Sequence, residues 1–143
     1  MDSPTDRTVA LMAIQPRFAD LILRGAKRVE FRKTLFRRPV SHVVIYACSP
    51  VAMVVGAFEV EGLDIGHPGD LWERYSSVAG IPAADYSDYY SGRELGVALR
   101  IGRVLRLAHS MPLSAVCGTS NPPQSFQYVR PSALDIVRSW SSG

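Results

Sequence analysis

Three side chains of complementary chemistry fall within six residues of one another: Lys27, Glu30 and Arg32. An ammonium suits a phosphate oxygen as a point charge, and a guanidinium suits it as a planar fork. A carboxylate between them can accept hydrogen bonds from the exocyclic amine of a base. In a catalytic setting Lys27 would serve as general base or electrostatic stabiliser, with Glu30 as proton acceptor. The plainer alternative is that Arg28, Glu30 and Arg32 form an exposed row of ion pairs, worth little to stability.

The setting of this triplet is strongly basic. Residues 17–38 hold eight Lys or Arg against Asp20 and Glu30, a local charge of +6, whereas the whole chain carries +3. The remainder is therefore mildly acidic, an asymmetry that points to a polyanionic partner. Lys33, Arg37 and Arg38 extend the run and are further candidates for phosphate contact. Pro122 and Pro123 hold the backbone extended ahead of Gln124 and Ser125, which either face a pocket or satisfy a turn. Tyr46, Tyr86, Tyr89, Tyr90, Phe126 and Tyr128 offer faces for base stacking, although such rings more often fill a core or its rim.

These side chains need elements to hold them. Residues 1–7 read as a loose lead-in, and Thr8 to Ile14 as a first strand. Pro16 then marks a helix start and Gly25 its end, with Phe18, Leu21 and Ile22 on one face and Asp20 and Arg24 spaced to pair. Lys27 to Lys33 alternates as a strand does: Val29 and Phe31 share one side, Arg28, Glu30 and Arg32 the other. Ser41 to Cys48 is apolar on both faces, which suggests a central strand. Met53 to Gly62 follows, with Val54, Phe58 and Val60 expected inward.

A helical insert comes next, with Leu71, Trp72, Tyr75 and Val78 as its stripe, followed by a short helix from Pro82 to Tyr90. Leu95 to Leu107 reads as a long strand interrupted by a bulge at Gly102-Arg103. Pro112 and Leu113 open an expected loop, a last strand forms near Phe126 to Tyr128, and residues 131–143 make a tail or terminal helix. The sum is one domain spanning residues 1–143, of α+β class, a small mixed, partly closed barrel of five or six strands.

Composition narrows the function classes. A content of 47% hydrophobic and 20% charged residues belongs to a globular chain, not a disordered one. No apolar run approaches the ~20 residues needed to span a bilayer, so no membrane is expected as a partner. The polar, acidic start does not resemble a secretory signal, and a cytoplasmic setting is expected. Cys48 and Cys117 lack metal or redox spacing, and the three histidines lack ligand spacing, so neither metal nor cofactor is expected. No phosphate-binding glycine loop or nucleophile elbow is present.

Taken in order, these residues resemble the ASCH domain, a member of the PUA-like superfamily. The resemblance runs from Val9 to Tyr128. It is carried by Leu11-Met12-Ala13-Ile14-Gln15-Pro16, by Gly25-x-Lys27-x-x-Glu30-x-Arg32, by Val44-Ile45-Tyr46-Ala47 before Ser49-Pro50, and by Pro122-Pro123-Gln124-Ser125-Phe126-x-Tyr128. It implies a compact barrel with flanking helices and a cleft lined by residues 25–32, of the kind associated with RNA or modified bases. Some members are enzymes: amidohydrolases acting on N4-acetylcytidine, and a ribonuclease. In those amidohydrolases a lysine resembling Lys27 works with a threonine three residues on and a separate glutamate. Here the threonine position holds Glu30, and no acid stands near Ala79-Gly80. The last motif resembles a subgroup described as transcriptional regulators, but no segment remains here for a helix-turn-helix.

The expected function is binding of RNA, or of a single-stranded or modified nucleic acid or nucleoside, in a basic cleft. Lys27, Arg32 and Lys33 would hold phosphates, with Arg37 and Arg38 as further contacts. Glu30, Gln124 and Ser125 would face the base, and Tyr46 or Tyr128 would stack on it. The rival expectation is a hydrolase acting on modified nucleosides or RNA with Lys27 and Glu30 as catalytic groups. A third is a module whose basic patch meets an acidic protein.

Overall fold

The computed structural model describes residues 8–142; the expected lead-in over residues 1–7 lies outside them. Its elements are β1 (Val9–Ile14), α1 (Pro16–Leu23), β2 (Val29–Arg32), β3 (His42–Ala47), β4 (Met53–Gly66), α2 (Pro68–Tyr75), a 3-10 turn (Ser76–Val78), α3 (Ala83–Tyr89), β5 (Gly96–Met111), α4 (Leu113–Cys117), β6 (Phe126–Val129) and α5 (Pro131–Ser139). All six strands belong to one mixed sheet in the order β2-β5-β4-β3-β1-β6. β1 and β3 run parallel, and every other neighbour is antiparallel.

The sheet curls into a half-barrel because its long hairpin is irregular. The β4–β5 register shifts three times, and between Phe58↔Val104 and Val60↔Ile101 the extra residue lies on β5, at the expected Gly102-Arg103 bulge. Each bulge bends and twists its strand. The same shifts correct the expected inward set of β4. Phe58 and Val60 pack with the core inside the curl, whereas Val54 packs with the core outside it. Strict alternation fails there because an inserted residue reverses the side of everything beyond it.

Three apolar clusters result. The inner one joins β1, β3 and β5 residues to Ala19 and Ile22 of α1 and to Phe36 and Val40. The outer one lies beneath α4 and α5, through Leu113, Val116, Leu134 and Val137. α4 occupies the stretch expected to be a loop; its five residues are too short for a periodic signal, and burial of Leu113 and Val116 holds them helical. The third cluster joins β2 to the insert: Phe31 lies edge-on to Tyr86 at 4.8 Å, and Leu71 and Ala79 complete it. No helix among the described residues is long and apolar enough to cross a membrane.

The two outer strands come back toward each other. Phe36, just past β2, meets Phe126 of β6 edge-on at 4.7 Å. Arg32 Nη2, at the end of β2, donates to Ser125 Oγ at 2.5 Å. These contacts stitch a seam that, among the described residues, no strand ladder closes.

Candidate functional site

The site forms beside that seam. A cavity of about 170 Å³ is lined by Ala13, Ile14, Gln15, Phe18, Lys27, Glu30, Phe31, Arg32, Ile81 and Tyr89. Four segments meet there: the end of β1, the start of α1, β2, and the insert. Pro16 at the first helical position turns the chain so that Gln15 and Phe18 face the cavity. Gly25, at φ +80°, ends α1 in a conformation that favours glycine and delivers the chain toward Lys27.

Lys27 is 2% exposed although it precedes the strand proper. Its Nζ donates to the Ala79 carbonyl at 2.5 Å and lies 3.8 Å from Glu30 Oε1. The Phe18 and Phe31 rings stand 5.3 Å and 5.4 Å from it, within cation–π range. Burial pushes the ammonium below its ordinary pKa, and Glu30 pulls it part of the way back. The insert makes this position possible. A Cβ at Gly80 would lie 2.7 Å from Lys27 Cβ, and Gly80 itself sits at φ +60°. Only glycine satisfies both the close approach and the left-handed backbone without strain.

Glu30 is also buried, at 7% exposure. Arg32 Nη1 donates to its Oε2 at 3.1 Å, and the other end of the same guanidinium reaches Ser125. Among the described residues no hydrogen bond reaches Glu30 Oε1. An ammonium has three donors, and at 3.8 Å the Lys27–Glu30 separation exceeds a hydrogen bond. The pair therefore faces the cavity with hydrogen-bonding capacity on both partners.

The expected site residues separate into groups. Lys27, Glu30 and Arg32 come together in the cavity wall. Lys27 lies inside it instead of on a phosphate-bearing surface, and Arg32 is engaged by Glu30 and Ser125. Ser125 ties the seam, its carbonyl also accepting from the Ala13 amide at 3.0 Å. Gln124 is exposed and does not line the cavity. Lys33 stands at the rim with Nζ 4.6 Å from the Tyr89 ring.

Tyr46 is buried in the outer cluster, beside Ala13 in register, and does not line the cavity. Tyr128 serves the basic loop: its hydroxyl accepts from the Arg37 and Arg38 amides at 2.9 Å and 3.2 Å, and the Arg38 guanidinium lies 4.0 Å over its ring. Sequence reasoning missed Gln15, Phe18 and Ile81 as lining, and placed Tyr89 only among possible stacking rings. Gly80 was the available signal, since a glycine inside an ordered insert can mark close approach. Among the described residues no three His, Cys, Asp or Glu gather to hold a metal ion.

No family model matches the chain. A protein from Zymomonas mobilis named ASCH domain-containing ribonuclease is 34% identical over 128 residues, covering 87% of this chain and 86% of that protein. The chain belongs to the ASCH-domain family. A crystal structure of ASCH from the same organism superposes on it with a TM-score of 0.84 at 30% identity, covering 96% of this chain and 98% of that one. The expected α+β half-barrel is thus the ASCH fold. The domain also matches the large ribosomal subunit protein uL22 of Ureaplasma parvum at 29% identity, over 90% of this chain but 41% of that protein.

Proposed function

We propose that this ASCH domain binds single-stranded RNA and draws one unpaired or modified base into the seam cavity. One observation carries the reading: a buried ammonium and a buried carboxylate, too far apart to hydrogen-bond each other, face a small cavity between aromatic rings. Its volume, about 170 Å³, is below the ~300–1,000 Å³ of sites for drug-sized ligands, which suits a single ring with its sugar and phosphate outside. Glu30 accepts from an exocyclic amine, Lys27 donates to a ring acceptor, and Phe18 or Tyr89 packs on the ring. Lys33 at the rim takes a phosphate, with Arg37 and Arg38 of the basic loop as further contacts, which makes affinity salt-dependent. The ribonuclease name of the Zymomonas relative supports RNA as the ligand class.

The test is titration with a panel of RNA octamers and modified nucleosides at two salt concentrations. Glu30→Gln keeps the shape and one acceptor but loses the charge. It is expected to lose discrimination among bases while retaining most of the affinity and its salt dependence. An equal loss for every sequence, or none, would remove Glu30 from base recognition.

The relative's name also favours a second reading, cleavage of RNA. Lys27, with its depressed pKa, would then act as general base or electrostatic stabiliser and Glu30 as proton acceptor. Incubation with the same RNAs, read by mass spectrometry, decides between the two. Turnover lost in a folded Lys27→Ala variant supports catalysis; turnover that persists in that variant excludes this role for Lys27.

A further inference from the structure

Arg17 and Asp85 form an ion pair between two walls of the cavity, and neither belongs to its lining. Arg17 Nη2 lies 3.1 Å from Asp85 Oδ2, joining the first turn of α1 to α3. Both ends rest beside lining residues. Arg17 Nε donates to Gln15 Oε1 at 3.3 Å, and its guanidinium carbon lies 4.4 Å over the Phe18 ring. Asp85 stands one helical turn before Tyr89, on the same side of α3. The pair thus straps α1 to the insert across the approach to the base pocket.

Arg17 is badly placed for the dipole of α1. A cation in the first turn meets the positive end of the helix dipole, and this turn contains no acid to offset it. Asp85 supplies that offset from another element. The side chains are 58% and 40% exposed, so the pair stands in water and a phosphate can reach it. Exposed ion pairs are weak, and a phosphate competes well for a guanidinium because it accepts two parallel hydrogen bonds.

We infer that Arg17 is a phosphate-binding residue of the cavity mouth, held in reserve by Asp85 until the phosphate of an entering nucleotide displaces that carboxylate. The inference rests on the nucleotide-binding reading above and extends it to a residue pair outside the Lys27–Glu30–Arg32 group. Asp85 acts through Arg17: it masks the guanidinium in the free protein, ties the insert to α1, and lowers affinity by the fraction of molecules in which the pair is closed. The consequence is that removing a carboxylate tightens binding beyond what its charge alone would do.

The test uses the full chain with two probes, a mixed-sequence single-stranded RNA octamer and inorganic pyrophosphate. The variants are Asp85→Asn, Arg17→Gln, the double variant, and Asp88→Asn as a charge-matched control on an exposed position of α3. Relative to the control, Asp85→Asn is expected to tighten octamer binding about threefold to fivefold, the range an exposed pair can mask. It should also steepen log affinity against log salt by up to about 0.7, one more phosphate contact on a single strand. Arg17→Gln is expected to weaken binding and to cancel the Asp85→Asn gain.

A gain no larger than that of Asp88→Asn, or one that survives in the Arg17→Gln background, overturns the inference. Base discrimination lost in Glu30→Gln, with octamer affinity indifferent to Asp85, leaves the base-binding reading standing without the strap. If wild-type protein binds no octamer, the base-binding reading fails. Pyrophosphate binding that needs Arg17 and is suppressed by Asp85 then still supports the strap as an anion site.

Discussion

Glu30 and Asp64 are two carboxylates set among cations, and they come to opposite ends. Asp64 accepts from the Tyr75 hydroxyl and from Arg100 Nη1 at 2.8 Å, with Arg74 Nη2 at 3.6 Å, all on Oδ2. Arg100 lies so close over Gly62 that a Cβ there would fall 2.1 Å from its Nη2. These bonds tie α2 to the β4–β5 hairpin, and the Asp64 side chain remains 22% exposed. Glu30 has fewer donors, deeper burial and a cavity in front of it. Asp64 is a strut because its three partners fix one oxygen between α2 and the hairpin, at a surface where water can meet what remains of its bonding capacity. Glu30 is buried with capacity left over, which is costly unless something fills the gap, and the proposed base would fill it.

That contrast can be broken first at Lys27. Lys27→Ala leaves Glu30 buried with one cation fewer and is expected to cost about 3–5 kcal/mol in denaturant unfolding. Arg100→Ala, which strips Asp64 of a partner near water, should cost about 1 kcal/mol. Equal losses would mean that burial does not separate the two clusters.

Gly80→Ala comes next. The left-handed backbone alone carries a penalty of roughly 1–2 kcal/mol for a residue with a Cβ. The contact with Lys27 adds to it, and ligand affinity is expected to fall along with stability. A variant that loses stability but binds normally would show that Lys27 does not depend on the insert for its position.

Asp64→Asn should lower stability by about 1 kcal/mol while leaving oligonucleotide affinity unchanged. Its pH dependence sharpens the point. The Tyr75 hydroxyl holds the Asp64 carboxyl below its ordinary value, with burial working against it and Arg100 and Arg74 working with it. Such a group stabilises the fold fully above its unfolded pKa, about 3.9, and the contribution disappears as pH falls through the lower folded value. The gap between wild type and Asp64→Asn should therefore hold steady above about pH 4 and narrow only below it.

The smallest expected effect is that of Tyr128→Phe. It removes the acceptor for two loop amides and is expected to weaken octamer binding slightly and equally for all sequences. A change in base preference instead would return Tyr128 to the role of stacking surface.

The sheet elements were largely legible because burial imprints itself on neighbours in sequence. The two-sided apolar run of β3, and Pro16 and Gly25 around α1, are local signals with local causes. α4 was not legible, since a five-residue helix held by tertiary packing leaves no period to read. The site was legible in part. The basic run and the spacing of Lys27, Glu30 and Arg32 pointed to one place in the chain. The aromatic partners did not, because any of six rings could be core or wall, and distance along the chain says nothing of which ring faces a pocket.

The amino-acid sequence by itself determined which groups are charged, where the chain turns, and that the positive charge concentrates in residues 17–38. Tertiary structure decided what each group is for. Lys27 and Lys33 are the same residue type, yet one is buried against the Ala79 carbonyl and the other lies over Tyr89 at the rim. The reason is physical: the insert, more than forty residues further along, supplies the glycine that admits the Lys27 stem and the carbonyl that accepts its hydrogen bond. Solvation and hydrogen-bonding capacity depend on what is near in space, and only the folded chain specifies that.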